Sequence, residues 1–407
     1  MIRRRQQQPL TYLPTPLLFL LAAGLVIILP KSPSLSFYPQ ESKTTASNQA
    51  ELNAALLQVR PGSTVIIQPG FYRGGLSLQN ISGTAEAPIR IKGADEAHPP
   101  VIKGGSTGLQ LSNCSFIEIS DLHFVGATGN GINIDDGGNS NPMAHAIHLK
   151  RLRVSNVGPD GNKDGIKLSG ISEFHVSQCT VLNWGSSGSA IDMVGCKSGT
   201  IERCVFEFKS DLAANGVQTK GGSSDITIEA CKFVNAGSRS INAGGSTGRS
   251  FFRPPNAKYE ARRINVRDCT IIGSSAAAAF VGVDGARFEH NTIYRPTRWV
   301  FRMLQESNDA EMIQCRNILI CDNLIVFNSN QIRTHFNVGP GTLPETLQLE
   351  RNHWHCKDQP SRSKPTDLPV TENHGIYGVT PSFIQESSVN LQLQRTSRDQ
   401  PGARHPR

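Results

Sequence analysis

Ile201-Glu-Arg-Cys204-Val-Phe206 and Ile228-Glu-Ala-Cys231-Lys-Phe233 carry one phrase: an apolar residue, two variable positions, a cysteine, another variable position and a second apolar residue. The phrase extends backwards through Val176-Ser-Gln-Cys179-Thr-Val181, Leu149-Lys-Arg-Leu152-Arg-Val154 and Ile119-Ser-Asp-Leu122-His-Phe124. Forwards it runs through Val266-Arg-Asp-Cys269-Thr-Ile271, Phe288-Glu-His-Asn291-Thr-Ile293, Ile320-Cys-Asp-Asn323-Leu-Ile325 and Leu349-Glu-Arg-Asn352-His-Trp354. Steps between the Leu/Cys/Asn positions are 30, 27, 25, 27, 38, 22, 32 and 29 residues. So loose a period over so many copies means stacked units with loops of varying length bulging from a fixed frame. Each unit is too short to bury its own apolar face, and its residues are strand formers bounded by Gly, Ser, Asn and Asp turns. The expectation is an all-β, single-stranded, right-handed parallel β-helix solenoid of about nine or ten coils. Leucine-rich, ankyrin and tetratricopeptide repeats need leucine or helical periods that are missing, and a left-handed hexapeptide helix needs a stricter six-residue rhythm.

The first half of each unit aligns as well. Gly108-Leu-Gln-Leu, Gly131-Ile-Asn-Ile, Gly165-Ile-Lys-Leu, Ala190-Ile-Asp-Met, Gly216-Val-Gln-Thr and Ser240-Ile-Asn-Ala are successive members, with Ala279-Phe-Val-Gly, Val300-Phe-Arg-Met and His335-Phe-Asn-Val as weaker ones. Strand residues alternate faces, so the third position points outward. That outward column reads Gln110, Asn133, Lys167, Asp192, Gln218, Asn242, Val281, Arg302 and Asn337. Two residues on, a companion column holds Asp135, Ser169, Val194 and Lys220. Lys167, Asp192 and Lys220 fall on adjacent coils, within about 10 Å of one another along the stack from the strand spacing.

Cys179, Cys204, Cys231 and Cys269 occupy equivalent positions in consecutive coils, and Asn291, Asn323 and Asn352 continue the column. Inward thiols stacked at the strand spacing act as small apolar fillers, so a buried thiol ladder is expected in preference to disulfides. No C-x-x-C pair or zinc-type spacing is present.

The 407 residues carry 41 basic and 33 acidic side chains, a net charge of +8, part of it in the tail arginines Arg395, Arg398, Arg404 and Arg407. The surplus allows attraction to a polyanion, but no nucleic-acid-binding module or basic aromatic strip is present, so nucleic acid is not an expected partner. Residues 1–30, with Arg3, Arg4 and Arg5 before the apolar run Pro16–Leu29, read as a signal peptide or N-terminal membrane anchor. Export to the cell envelope or beyond follows, with membrane association open. Residues 31–46 read as a linker, 47–394 as the β-helix domain acting as a monomer, and 395–407 as a disordered tail. Within the domain, Ser47 to Val59 has an N-cap and apolar residues at helical spacing, a short helix to cover the open end of the solenoid. Thr380–Phe383 and Asn390–Leu393 are candidates for a closing strand.

The segment Leu52 to Gly93, with Pro61-Gly-Ser-Thr-Val-Ile-Ile, Pro69-Gly-Phe-Tyr72 and Gly83-Thr-Ala-Glu-Ala-Pro-Ile-Arg-Ile91, resembles the opening coils of the alginate lyase and chondroitinase B family of polysaccharide lyases. The resemblance covers roughly residues 48–245. It implies a pectate-lyase-like β-helix that cleaves an acidic, uronate-containing polysaccharide by β-elimination. The family's catalytic lysine matches Lys220 in Gly216-Val-Gln-Thr-Lys-Gly-Gly, and Lys167 lies near enough to serve as a partner cation. Elimination needs a base beside the uronate carboxylate and positive charge for the enolate-like anion. Asp192, Asn133, Gln218, Asn242 and Arg302 are the expected substrate contacts. Two positions depart from the family. Asn242 stands where the family has an arginine, which Arg239, Arg249 or Arg253 could replace. The acidic calcium ligands before the lysine are replaced by Ala213-Ala-Asn-Gly216.

Asp160-Gly-Asn-Lys-Asp-Gly165 matches the first half of a calcium loop, so Asp160, Asn162 and Asp164, with Asp135 from the previous coil, are candidate Ca2+ ligands, although position twelve is Ile171. His123, His145, His148, His175 and His290 are scattered without a nucleophile elbow. Asp192 with Asp164 or Asp135 could form a glycosidase pair. Non-catalytic glycan binding is the third reading.

Overall fold

A computed structural model describes residues 41–138, 141–209, 213–386, 390–394 and 400–404. The apolar run at 16–29 and most of the expected linker lie outside the described residues. Among the described residues no helix is long and apolar enough to cross a membrane.

Three long parallel sheets of 13, 10 and 12 strands are wound by one chain that visits them in strict rotation. Ten complete coils result, from Leu76–Gln79 in the first to His353–Cys356 in the last. The 10-stranded sheet, here the site sheet, holds the Lys167, Asp192 and Lys220 strands; the 13-stranded and 12-stranded sheets follow it in every coil. The recurrent phrase is the corner between those two. Its apolar residues enter the core, and the residue before each Leu/Cys/Asn turns the chain through a single left-handed step: φ is 55° at Gln178, 51° at Arg203, 52° at Ala230 and 57° at Asp322. One such residue bends a strand sharply without adding a loop, which fixes the stacking of the column.

All nine cysteines are free and buried. Within the column the Cys179 backbone N–H donates to Cys204 Sγ at 3.4 Å, and each thiol donates to carbonyls of its own and the preceding coil. The asparagines do the same with shorter bonds. Asn291 N–H donates to Asn323 Oδ1 at 2.9 Å and Asn323 N–H to Asn352 Oδ1 at 3.0 Å, and Asn352 N–H and Nδ2 end the ladder on Glu372 Oε1. Buried corner N–H groups are thereby paired, as a dry core requires. Aliphatic and aromatic columns fill the rest; Phe206 and Phe233 lie 5.0 Å apart, tilted by 34°.

The helix Gln49–Leu57 covers the N-terminal end, as expected. Asn48 caps it, accepting from Glu51 N–H, while Glu51 accepts from Ser47 N–H, and Leu52, Ala55 and Leu56 join the core. The ends also bring corrections. Ser42–Ala46, assigned to the linker, is a strand paired in parallel with Ser63–Ile67, because its last residue, Ala46, enters the core. The C-terminal strands do not close the solenoid. Phe383–Gln385 and Asn390–Leu393 form an antiparallel pair, and Leu391 and Leu393 pack on Tyr294, Leu324 and Val326. Those residues are apolar on the outer side of the 12-stranded sheet and need a cover. Part of the tail expected to be disordered is docked as well: Ala403 N–H donates to Thr292 Oγ1, and Arg404 grips Asp268 through Nε and Nη2 at 2.7 and 3.0 Å.

Candidate functional site

The site sheet stacks Gln110, Asn133, Lys167, Asp192, Gln218 and Asn242 in one register. The expected column fails at the next coil, where Ala279 and not Val281 is paired with Asn242 and Arg302. A slip of two residues keeps every side chain on its face, so alternation could not detect it. Val281 belongs to the companion column, level with Leu304.

Loop lengths turn this sheet into a cleft. After the strands Ile166–Ser169, Ser189–Val194 and Asn215–Lys220 the chain turns on glycine alone, at Gly170, Gly195 and Gly221-Gly222, whereas the coils flanking these three carry long loops around Asp136 and around 245–260. The two loops meet over the short turns, where Arg253 Nε donates to Asp136 Oδ2 at 2.9 Å. A Cβ on Gly170 would stand 2.3 Å from Asp136 Oδ2, and one on Gly195 would stand 2.5 Å from Arg253 Cβ, so the strap needs glycine beneath it. Buried Glu260 holds the second loop, accepting from Gly221 N–H, Thr247 N–H and Thr247 Oγ1–H. The enclosed cleft, about 470 Å³, is lined by Lys167, Lys220, Arg253, Asp136, Thr247 and the exposed ring of Phe251, among others.

Lys167, Asp192 and Lys220 meet in space, as the strand register leads one to expect. Lys167 Nζ donates to Asp192 Oδ2 and, at 3.4 Å, to Asp164 Oδ2; Lys220 Nζ lies 3.2 Å from Asp192 Oδ1 and donates to Gln218 Oε1 at 3.4 Å. The Lys220–Asp192 contact is an ion pair by distance but lacks hydrogen-bond alignment, so Asp192 Oδ1 has no hydrogen-bond partner. Both carboxylates are buried, Asp192 1 % and Asp164 2 % exposed, with the two lysines lying over them. Burial first, then the Asp192 charge, pushes the Asp164 carboxyl up to about 6 against the pull of Lys167 and the Ser189 N–H. Burial disfavours the Lys167 ammonium, but Asp192 and Asp164 outweigh it and leave its pKa above the ordinary lysine value. Lys167 is therefore a fixed cation.

The calcium expectation is not supported by the donors. Asp164 Oδ1 accepts from Ser189 N–H and its Oδ2 from Lys167, while Asp135 accepts from Gln110, Ser112, Asn133 and Gly137 N–H. Asp160 and Asn162 are exposed in the turn, and no group of three His, Cys, Asp or Glu among the described residues is arranged for a metal. The short D-x-N-x-D-G run is satisfied as a turn whose last aspartate faces inward to a lysine.

The other expected contacts divide. Asn133 is tied to Gln110 and Asp135, away from the cleft. Gln218 lies under Lys220, and Asn242 is 2 % exposed, accepting from Arg239 and donating to Gly244 O, so neither offers an open surface. Arg302 lies further along the sheet, stacked on Trp299. Of the three arginines considered as replacements, Arg253 alone lines the cleft; Arg239 pairs with Glu306 and Arg249 with Asp309. Phe251, Thr247 and Glu260 were not singled out from the sequence, because their loop interrupts the repeat and carries no periodic signal.

Residues 101–254 match the family model described as right-handed β-helix region. In fold the chain is similar to a rhamnogalacturonan lyase, at 15 % identity and a TM-score of 0.54 over 86 % of this chain and 89 % of that one. It is also similar to the Dettilon tailspike protein, at 11 % identity and a TM-score of 0.52 over 76 % of this chain and 59 % of that one. An alginate lyase from Paenibacillus aligns at 17 % identity and a TM-score of 0.46, over 73 % and 97 % of the two chains. A search of the curated proteins gave no match. The molecule is a right-handed parallel β-helix.

Proposed function

We propose that this chain is an exported polysaccharide lyase-like β-helix whose cleft holds a uronate of an acidic polysaccharide and breaks the neighbouring glycosidic bond by β-elimination. The observation that carries the reading is the convergence of Lys167, Lys220 and Arg253 in one cleft, above buried Asp192 and beside the exposed ring of Phe251. Lys167 and Arg253 place positive charge beside the uronate, and Asp164, half-protonated near pH 6, adds only part of a negative charge. The Phe251 face offers an apolar platform for a sugar ring. The rhamnogalacturonan lyase of similar fold is named for such a substrate.

In the proposed step the Lys220 amine takes the proton from the carbon bearing the carboxylate. The C–H electron pair forms the new C=C bond as the adjacent C–O bond breaks, and the leaving oxygen takes both bonding electrons and a proton from water. Lys167 neutralises the charge that spreads onto the carboxylate. Lys167 holds Asp192 Oδ2, which leaves Lys220 with the poorly aligned Oδ1 and makes it the more available of the two amines. A hydrolytic reading rests on Asp164, a buried acid near pH 6 beside Asp192, but both carboxylates lie beneath the lysines.

Full-length protein is incubated with alginate, dermatan sulfate, pectate and rhamnogalacturonan while the ultraviolet absorbance of unsaturated uronate is followed. Elimination produces that absorbance, and Lys220→Ala lowers its rate by about 10²-fold or more with unchanged circular dichroism. New reducing ends without absorbance establish hydrolysis in its place. Binding with neither signal establishes a non-catalytic glycan binder, and an undiminished rate in Lys220→Ala removes that residue from the chemistry. Cell fractionation tests export: recovery in the soluble cytoplasm overturns it.

A further inference from the structure

We infer that Arg298 and Arg302, which flank Trp299, and the neighbouring Arg239 form a second anion-binding subsite for the same polymer; the inference rests on the polysaccharide reading above. The guanidinium carbons of Arg298 and Arg302 lie 4.0 and 4.1 Å from the Trp299 ring centre. Arg302 Nε donates to Asn337 Oδ1 at 2.9 Å, and no carboxylate stands within ion-pair distance of Arg298 or Arg302 among the described residues. Arg239, from two coils earlier, contributes a third guanidinium, whose Nη2 takes Glu306 at 2.7 Å. Three arginines thus share one nearby carboxylate. Burial, followed by the charges of Arg239 and Arg298, lowers the Arg302 pKa, the mark of cations crowded together without enough counter-charge.

Register places the cluster on the polymer's path. Lys220 is on the sixth coil, Arg239 on the seventh and Trp299 with Arg302 on the ninth, all on the site sheet. Three strand spacings separate Lys220 from Arg302, about 14 Å along the stack. Ala276 and Ala279, on the coil between, are small and buried, so the polymer would cross above them. A linear polyanion lying along the helix axis, with one charged group in the Lys167/Lys220 cleft, would present a later carboxylate or sulfate to Arg302 and Arg298. The planar forks suit bidentate capture of such a group.

Calorimetry on the full chain with oligomannuronates and oligogalacturonates tests this. Short members cover one subsite, and long members reach from Lys220 to Arg302. Arg298→Ala, on an exposed side chain, and Arg302→Ala are compared with wild type and with Lys220→Ala, and circular dichroism checks each fold. The expected result is that each arginine variant weakens the long oligomers about tenfold and leaves the short ones unchanged, while Lys220→Ala weakens both. Equal affinities of wild type and both arginine variants for long oligomers overturn the subsite and leave the cleft reading standing. Loss of long-chain affinity in the arginine variants with none in Lys220→Ala supports the subsite and overturns the cleft reading. Failure of every long oligomer to bind wild type overturns the subsite.

Discussion

Asp164 is the group whose environment makes the sharpest numerical claim. Its carboxyl is pushed up to about 6 in the folded chain from an ordinary value of 3.8. The folded state therefore keeps a proton that the unfolded state releases, and the contribution, fully present below the unfolded value, is lost as pH rises through 6. The part lost between pH 5 and pH 7.5 is on the order of 1 kcal/mol. Asp164→Asn removes the titration while its side-chain oxygen can still accept the Ser189 N–H. Urea unfolding of wild type and variant at several pH values supplies the test, because subtracting one curve from the other cancels every distant titrating group. The stability of wild type relative to the variant should fall by about 1 kcal/mol from pH 5 to pH 7.5. Parallel pH profiles would refute the argument, because they would mean that the buried site is solvated well enough to ionise Asp164 like a surface carboxylate.

Other expectations concern the frame and the metal. Asn323→Ala strands the buried Asn291 N–H, which donates to Asn323 Oδ1, and should cost about 2 kcal/mol in chemical denaturation, whereas Asn323→Cys restores the residue type used in four earlier coils and should cost clearly less. Equal losses would show that the amide column is not held as described. A thiol reagent should find no accessible cysteine in the folded protein and nine after denaturation, with reductant leaving the melting temperature unchanged; a mobility shift on reduction would contradict the free thiol ladder. Calcium or a chelator should leave melting and polysaccharide binding unaltered, since Asp164 and Asp135 are already engaged. A calcium-dependent rise in either would restore the metal site.

The repeat made the coil legible because each corner imposes the same local demand. A left-handed residue must be followed by one that fills a narrow column and bonds to the next coil, and Leu, Cys and Asn meet it in turn. Alternation then sufficed to place Lys167, Asp192 and Lys220 on one face. The same alternation was blind to the exchange of Ala279 for Val281, and a motif read locally made Asp164 a metal ligand when its chain direction turns it inward to Lys167.

By itself, the sequence determined the solenoid, its thiol and amide columns, the capping helix and the neighbourhood of the two lysines, because these follow from periodicity and from the fixed spacing of stacked strands. Tertiary structure alone decided that Arg253 crosses three coils to Asp136, that Phe251 faces the cleft, that Arg298 and Arg302 share Trp299, and that the C-terminal hairpin lies against a side of the coil. Those contacts join residues from aperiodic loops or distant strands, and their partners are selected by shape and charge at close range, which leaves no rhythm in the chain to read.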